Sequence, residues 1–175
     1  MHRLEGSHIL PYKGVMPQFG ERCFLASGAC AIGDLVVGDD VSIWFNTVVR
    51  ADCHYIRIGD RVNIQDNTTV HVTNGRFPTV LADEVSIGHG AVVHGCSIGK
   101  RTLVGMGAVV MDDVKVGENC LIAAGALLTP GKEFGDNGVI MGSPARRVRD
   151  ISEEELKMVV GTHVNYMEYK KGYMG

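Results

Sequence analysis

VSIGHGAVVHGCSIGKRTLVGMGAVVMDDVKVG, residues 85–117, carries an aliphatic residue about every six positions, and this spacing decides the fold. The same six-residue repeat continues for about a hundred residues and is interrupted near 50–57 and 71–80. Neither the 3.6-residue period of a helix nor the two-residue alternation of a strand accounts for it. The repeating aliphatic positions are Val37, Ile43, Val49, Ile58, Ile64, Val70, Leu81, Ile87, Val93, Ile98, Val104, Val110, Val116, Ile122 and Leu128.

Short strands with a turn every six residues do account for the spacing. The aliphatic residue points inward, and Gly, Asn or Asp turns the corner because positive φ costs these residues little. Three such segments close a triangular coil of about 18 residues, and coils stack about 4.8 Å apart through backbone hydrogen bonds. The sequence therefore predicts an all-β fold, a parallel β-helix over residues 1–130. We expect regular repeats from about residue 32 and an N-terminal lead-in at 1–31.

The repeat fades after Pro130, and residues 131–175 are predicted to form a connecting loop and a C-terminal helix of the same domain. Ser152 followed by Glu155 matches a capping box at a helix N-terminus. We expect the helix to pack along one side of the β-helix through an apolar stripe. The stripe consists of Leu156, Val159, Val160, Val164 and Met167.

Composition excludes several classes of function. A net charge of −3 gives no basic footprint, so we expect no nucleic-acid partner. No apolar run approaches the roughly 18 residues that a membrane span needs, and no membrane partner is expected. The N-terminus lacks the apolar segment of a signal peptide, which predicts a cytoplasmic protein. The five cysteines are widely spaced and contain no C-x-x-C pair, which indicates reduced thiols.

The repeat register aligns polar residues in two outward-facing columns. His71 and His94 follow an inward valine at the same corner of successive coils, and Arg50 occupies that corner one coil earlier. Asp66 and His89 fall on a different corner. His89 is therefore not expected to meet the other two histidines within one chain.

Side-by-side packing of three chains about a threefold axis would bring these two corners together. His71, His94 and the neighbour's His89 would then converge, and Arg50 would face Asp66 as an intersubunit ion pair. Three neutral imidazoles with an open fourth position are the ligand set of a catalytic zinc site. Cobalt or ferrous iron would also suit these ligands. The alternative is that the stacked histidines only stabilise a trimer by hydrogen bonds.

Three motifs resemble the γ-class carbonic anhydrases, which are hexapeptide-repeat proteins. They are an Arg-x-Asp element at 50–52, a Gln-Asp-x4-His element at 65–71 and a His-x4-His element at 89–94. The resemblance runs from about residue 10 to 170 and includes Gly-Ser-Pro-Ala-Arg at 142–146. It implies a left-handed parallel β-helix with the C-terminal α-helix packed along it, and a homotrimer.

The resemblance also implies the reaction and the site residues. Zinc would lie between His71 and His94 of one subunit and His89 of its neighbour, and zinc-bound hydroxide would hydrate carbon dioxide to bicarbonate. A tyrosine of the final helix, with Tyr166 a better match than Tyr169, would approach the site. The other implied residues are Gln65 beside the metal-bound water, Asn63 and Asp52 as lining or support, and Arg50 with Asp66 as the ion pair.

The chain departs from the best-characterised type at two positions. Cys53 stands where that type has a glutamate, and the loop after His71 lacks an acidic residue. Both glutamates implicated in proton transfer are thus missing, which leaves His54 as the candidate proton shuttle. We therefore expect weak turnover.

Three other functions use the same fold. One is zinc-dependent thioester hydrolysis, in which the same ligands would serve a larger carbonyl substrate. Another is acyl transfer, the common activity of hexapeptide-repeat proteins, which generally rely on one histidine. The last is a non-catalytic metal-binding trimer, which the missing glutamates favour.

Overall fold

The structure, a computed structural model, describes all 175 residues and consists of short strands followed by one helix. The strands, in chain order, are β1 (His2–Arg3), β2 (His8–Leu10), β3 (Gln18–Phe19), β4 (Phe24–Leu25), β5 (Cys30–Val37), β6 (Ser42–Ile43), β7 (Val48–Ile58), β8 (Asn63–Ile64), β9 (Thr69–His71), β10 (Thr79–Leu81), β11 (Ser86–Ile87), β12 (Val92–His94), β13 (Ser97–Ile98), β14 (Leu103–Val104), β15 (Val109–Val110), β16 (Lys115–Val116), β17 (Leu121–Ile122), β18 (Leu127–Leu128), β19 (Glu133–Phe134), β20 (Gly138–Gly142) and β21 (Ala145–Asp150). The helix, α1, spans Glu153–Met174.

Parallel pairing between successive coils builds three faces of a prism. The first face is the sheet β1-β4-β6-β8-β11-β14-β17-β20, to which β21 adds as an antiparallel edge strand. The second face runs through β9, β12, β15 and β18, and the third through β10, β13, β16 and β19. These two faces form one continuous sheet because the long strands β5 and β7 run around the corner between them. The predicted parallel β-helix is confirmed.

The inward-facing aliphatic residues form the core. All of the repeating aliphatic positions predicted from the sequence are at most 5 % exposed. Neighbouring coils align them in register, as in the pairs Val70 with Val93 and Ile64 with Ile87. Burying a side chain of this size contributes roughly 1.5–3 kcal/mol. The stacked aliphatic ladder is therefore the main stabilising feature of the fold.

The corner between the third and first faces is turned by charged residues, which the sequence analysis did not anticipate. Each adopts a positive φ, which is costly for residues other than Gly, Asn and Asp. Stacking of opposite charges offsets this cost: Arg22 pairs with Asp40 at 2.7 Å, and Arg61 with Glu84 at 3.0 Å. We call this column the charged corner; it consists of Arg22, Asp40, Arg61, Glu84 and Arg101.

The coils begin earlier and end later than expected. Within the expected lead-in at 1–31, β1 already pairs with β4 and β2 with β5. Within the expected connecting loop, β19 pairs with β16 and β20 with β17. The N-terminal coils do not show the six-residue pattern because inserted segments interrupt its spacing. At the other end, Phe134, Val139 and Ile140 continue the core in place of the regular repeat.

The C-terminal helix packs along the first face, as expected, in contact with β6, β11 and β17. The capping box is present: the Ser152 hydroxyl accepts from the Glu155 amide at 3.2 Å, and the Glu155 carboxylate accepts from the Ser152 amide at 3.0 Å. No helix in the structure combines the length and apolar character that crossing a membrane requires.

The face that the helix buries differs from the predicted apolar stripe. Val159 is buried, but Val164 is 48 % exposed, and the other buried helix residues are His163 and Lys170. The Lys170 ammonium donates to the carbonyl oxygens of Arg22 and Asp40, each at 2.9 Å, and to the Asp40 carboxylate. A buried ammonium thus fixes the end of the helix on the charged corner, which a hydrophobic pattern cannot reveal.

Gly59→Ala tests the close stacking of coils. A Cβ at this position would lie 2.4 Å from the Asp83 carboxylate and 2.7 Å from the Asp83 amide nitrogen of the next coil. We expect a loss of about 1–3 kcal/mol, measured as a lower thermal midpoint. Gly161→Ala is the control because a Cβ there meets no atom within 4 Å, and alanine favours a helix. Equal midpoints for the two variants would contradict the stacking argument.

His163 makes stability depend on pH. It is 6 % exposed, and its Nδ1 atom has no hydrogen-bond partner. Burial lowers the pKa of His163 below its usual value, with Glu84 opposing the shift and Arg61 and Arg101 adding to it. Between the folded and unfolded pKa values the unfolded chain binds more protons, so stability is lost as the pH falls below about 6.5.

We therefore expect the thermal midpoint to drop between about pH 8 and pH 5.5, and His163→Leu to reduce that drop. Leucine cannot take up a proton and fills a similar buried volume. Melting curves of both proteins across this range provide the measurement. A drop of the same size in the variant would show that other groups carry the pH dependence.

Candidate metal centre

His71 and His94 lie side by side on the second face. They end strands β9 and β12, and parallel pairing aligns them as direct neighbours. Their ring centroids are 5.0 Å apart, and His71 Nδ1 lies 3.0 Å from His94 Nε2. The in-register stacking of coils is thus sufficient to bring two imidazoles together.

A carboxylate contacts the other nitrogen of each ring. His71 Nε2 lies 3.0 Å from the Asp52 carboxylate, and His94 Nδ1 lies 2.6 Å from the Asp112 carboxylate. A carboxylate accepts hydrogen bonds, so each contact favours a proton on the contacted nitrogen. In the neutral form of each ring the remaining nitrogen carries a lone pair. The two lone pairs then face each other, which favours a cation between them.

His89 occupies a different corner of the prism. It lies in the turn between β11 and β12, where its Nδ1 contacts the Asp66 carboxylate at 2.7 Å and its Nε2 lies 3.3 Å from the Tyr166 hydroxyl. It forms no hydrogen bond with His71 or His94. All three histidines therefore have a carboxylate on one ring nitrogen, but a single chain brings only two of them together.

Tyr166 is the helix tyrosine that reaches this region. Burial, with Asp66 and Tyr169 nearby, raises the pKa of Tyr166 to about 12, so its hydroxyl is protonated at neutral pH and donates a hydrogen bond. The indole of Trp44 packs edge-on against its ring at 5.2 Å. Tyr169 is 55 % exposed and makes no such polar contact. The structure thus favours Tyr166 over Tyr169 as the residue beside His89.

Asn63 and Gln65 form a buried hydrogen-bonded chain on the first face. The Gln65 amide donates to Asn63 Oδ1 at 3.0 Å, and the Asn63 amide donates to the Ser86 hydroxyl at 2.7 Å. Both side chains are at most 5 % exposed. Neither makes a hydrogen bond to a histidine within the chain.

Arg50 and Asp66 do not face each other within one chain. Arg50 pairs with Asp52, whose other oxygen contacts His71. Burial acts to raise the pKa of Asp52, but hydrogen bonds from His71 and Arg50 outweigh it and lower the pKa to about 2. Asp52 is therefore an ionised link between the guanidinium and the imidazole. The Arg50–Asp66 ion pair remains a prediction about neighbouring copies.

A cavity of about 360 Å³ adjoins Asp52. Cys53 and His54 line it, and Cys53 Sγ lies 4.0 Å from His71 Nε2. Burial, followed by the neighbouring Asp52 carboxylate, raises the pKa of the Cys53 thiol above its usual range. His54 Nδ1 accepts from the Tyr55 amide at 2.9 Å, which places the proton of the neutral ring on Nε2.

Asp112 and Thr73 are site residues that the sequence analysis missed. The backbone pairing of Val93 with Val110 places Met111 as the residue one coil beyond His94. Asp112 instead reaches back along the turn to His94, and the Thr73 hydroxyl donates to its second oxygen at 2.8 Å. The sequence contains one signal for this contact: Val93 and Ile98 are five positions apart instead of six. The turn between them is therefore one residue short, which displaces the polar residue of the next coil.

The donor set fits a metal with nitrogen ligands. Two nitrogens bound to a tetrahedral zinc ion at 2.0–2.1 Å lie about 3.3–3.4 Å apart. The 3.0 Å between His71 Nδ1 and His94 Nε2 is close to that separation. A second donor set is contributed by Asp52, Cys53 and His71, whose ligand atoms all lie within 4.8 Å of one another. The residues present are therefore compatible with a metal at His71.

Comparisons with known proteins agree on the fold. Residues 95–130 match the family model described as bacterial transferase hexapeptide (six repeats). The solved structure of a hexapeptide transferase family protein from Anaplasma phagocytophilum superposes with a TM-score of 0.90 at 39 % identity, covering 94 % of this chain and 97 % of that one.

Several curated relatives are carbonic anhydrases by name. The protein named carbonic anhydrase from Geobacillus kaustophilus is 39 % identical over 165 residues, which cover 94 % of this chain and 90 % of the relative. Gamma carbonic anhydrase 1, mitochondrial, from Arabidopsis thaliana is 37 % identical over 155 residues, or 86 % of this chain and 56 % of the relative. Together with the β-helix, these matches confirm the resemblance seen in the three motifs, and the chain belongs to the γ-class carbonic anhydrase-like family of hexapeptide-repeat proteins.

Proposed function

We propose that this protein is a zinc-dependent lyase that hydrates carbon dioxide to bicarbonate at sites shared between the chains of a homotrimer. The observation that carries the proposal is that His71, His89 and His94 each have one ring nitrogen on a carboxylate and the other turned away from it. Metal-binding histidines generally have such a partner on the nitrogen that does not bind the metal. Membership of the carbonic anhydrase family supports the same reaction.

Because the three histidines lie on two different corners of the prism, the proposed metal site is shared between neighbouring chains. His71 and His94 are neighbours in one chain, whereas His89 lies on a different corner with Asp66 and Tyr166. Cyclic symmetry repeats any contact between the two corners at every junction, so a trimer would contain three equivalent sites. His71 and His94 of one copy, with His89 of the next, would hold the metal. When bound there, zinc supplies Lewis acidity and makes water a strong nucleophile at neutral pH.

The chain's own polar residues have distinct roles in the proposed reaction. Tyr166 donates a hydrogen bond into the site through its protonated hydroxyl. The Gln65 amide, which is held by Asn63, orients the nucleophile or a substrate oxygen. Arg50 and Asp66 join neighbouring copies as an ion pair, and Asp52 ties Arg50 to His71. His54, which lines the adjoining cavity, carries the released proton to solvent.

Thioester hydrolysis is a second candidate because the volume of the cavity beside Asp52 is larger than a carbon dioxide molecule needs. The cavity would accept part of a larger acyl substrate, and the same metal ligands would serve. Assays with carbon dioxide and with short acyl thioesters on the same metal-loaded protein distinguish the two. The relative rates decide between them.

The metal content of the protein purified without added metal tests the proposal first. We expect about one zinc ion per chain in the wild type, since the proposed trimer has three sites for its three chains. His89→Ala should lose most of the metal and hydrate carbon dioxide more slowly by over 100-fold, since even an outer partner is worth 10–100-fold. His8→Ala, an exposed histidine away from the site, is the control. A wild-type trimer without metal would contradict the proposal and favour the alternative in which the stacked histidines only stabilise the trimer.

Mixing two inactive variants tests whether sites are shared. His71→Ala removes a ligand from one corner and His89→Ala from the other. In a mixed trimer, one junction pairs an intact His71 with an intact His89, so one of the three sites is restored. We expect co-refolded chains to regain metal and activity that neither variant has alone. Failure to regain either, with mixed trimers present, would place all ligands in one chain.

His54→Ala tests the proton shuttle. We expect the variant to keep its metal and its kcat/KM but to lose kcat by about 10²-fold at low buffer concentration. Added imidazole should restore kcat because it carries the proton in place of the side chain. Stopped-flow assays across buffer concentrations provide the measurement. An unchanged kcat at low buffer would exclude His54 as the shuttle.

A further inference from the structure

We propose that Asp112 is a positioning residue that presents His94 to the metal, an inference that rests on the proposed function. Asp112 Oδ1 lies 2.6 Å from His94 Nδ1, a short contact even for a hydrogen bond to a charged acceptor. Because the Asp112 carboxylate accepts a hydrogen bond from Nδ1, the proton of the neutral ring stays on Nδ1. Nε2, which faces His71, is then left free to bind a cation.

The surroundings of Asp112 hold its carboxylate in one orientation. The Thr73 hydroxyl donates to Oδ2 at 2.8 Å, so each oxygen has its own partner. The backbone of the turn is also fixed, because the Asp112 carbonyl accepts from the Gly131 amide at 2.9 Å. Asp112 therefore has little freedom to leave His94.

Gly95 provides the space that the contact needs. A Cβ at this position would lie 2.4 Å from Asp112 Oδ1, and the residue adopts a φ of +54°. Only glycine accommodates both the backbone conformation and the carboxylate at low cost. The glycine after His94 and the aspartate one coil later thus form a single structural unit around the imidazole.

Loss of Asp112 would free the ring in two ways. Without the carboxylate, His94 loses the hydrogen bond on Nδ1 that restrains rotation about its side-chain bonds. The neutral ring could also protonate on Nε2, which would direct a proton instead of a lone pair at the metal position. Outer partners of this kind are typically worth 10–100-fold in metal affinity.

The test compares Asp112→Ala and Asp112→Asn with Asp113→Asn. Asp113 is the adjacent exposed carboxylate, and its φ of +58° is a conformation that asparagine tolerates. Asp113→Asn therefore removes the same charge as Asp112→Asn without removing a contact to His94. Zinc affinity is measured by competition with a chelator, and circular dichroism and size-exclusion chromatography establish that each variant is folded and assembled. The tautomer of His94 is read by ¹⁵N NMR in metal-free protein.

We expect Asp112→Ala to lower zinc affinity by 10–100-fold and to abolish the Nδ1–H signal of neutral His94. Asp112→Asn should keep that signal, because its amide oxygen still accepts, and lose less affinity. Asp113→Asn should match the wild type in both readouts. Wild-type zinc affinity and tautomer in Asp112→Ala would overturn the inference while leaving the proposed function intact. A wild-type protein that binds no zinc would instead overturn the proposed function.

Discussion

Parallel hydrogen bonding between successive coils is the constraint on which the rest of the structure depends. Each coil pairs with the next in register, so a residue is stacked on its counterpart one coil away. Inward positions become a ladder of aliphatic side chains, and outward positions become columns of polar ones. The fold thus produces close pairs of functional groups from a repeating sequence without any long-range loop.

The candidate site shows what such columns allow and what they prevent. His71 and His94 meet because they occupy equivalent positions on neighbouring coils, whereas His89 stands one corner away. Two ligands of the proposed metal are therefore set by the folding of one chain, and the third depends on association. The three carboxylates that contact the histidines are all supplied within the chain, so each imidazole is oriented before any partner arrives.

Much of the fold could be predicted from the sequence because the repeat directly encodes which residues point inward. The core residues and the pairing of His71 with His94 follow from counting along the chain. Counting failed where the period changes: the short turn at Gly95 shifted Asp112 into contact with His94, and irregular coils at both ends lay outside the pattern. The Arg residues at positive φ were also missed, since the carboxylates they pair with include ones that lie one coil away. The Arg50–Asp66 pair remains a prediction about neighbouring copies, because within one chain Arg50 pairs with Asp52.

The placement of the site along the prism has a consequence for how such chains diverge. Apart from Tyr166 on the helix, the residues around the histidines lie between Arg50 and Asp112, and further coils follow through β17, β18, β19 and β20. In a solenoid each coil contacts only its neighbours. Insertion or deletion of whole coils beyond Asp112 would lengthen or shorten the prism while leaving every distance among the histidines unchanged. The number of coils beyond the site can thus change over evolutionary time independently of the paired imidazoles, so chain length is a poor guide to the chemistry of homologues.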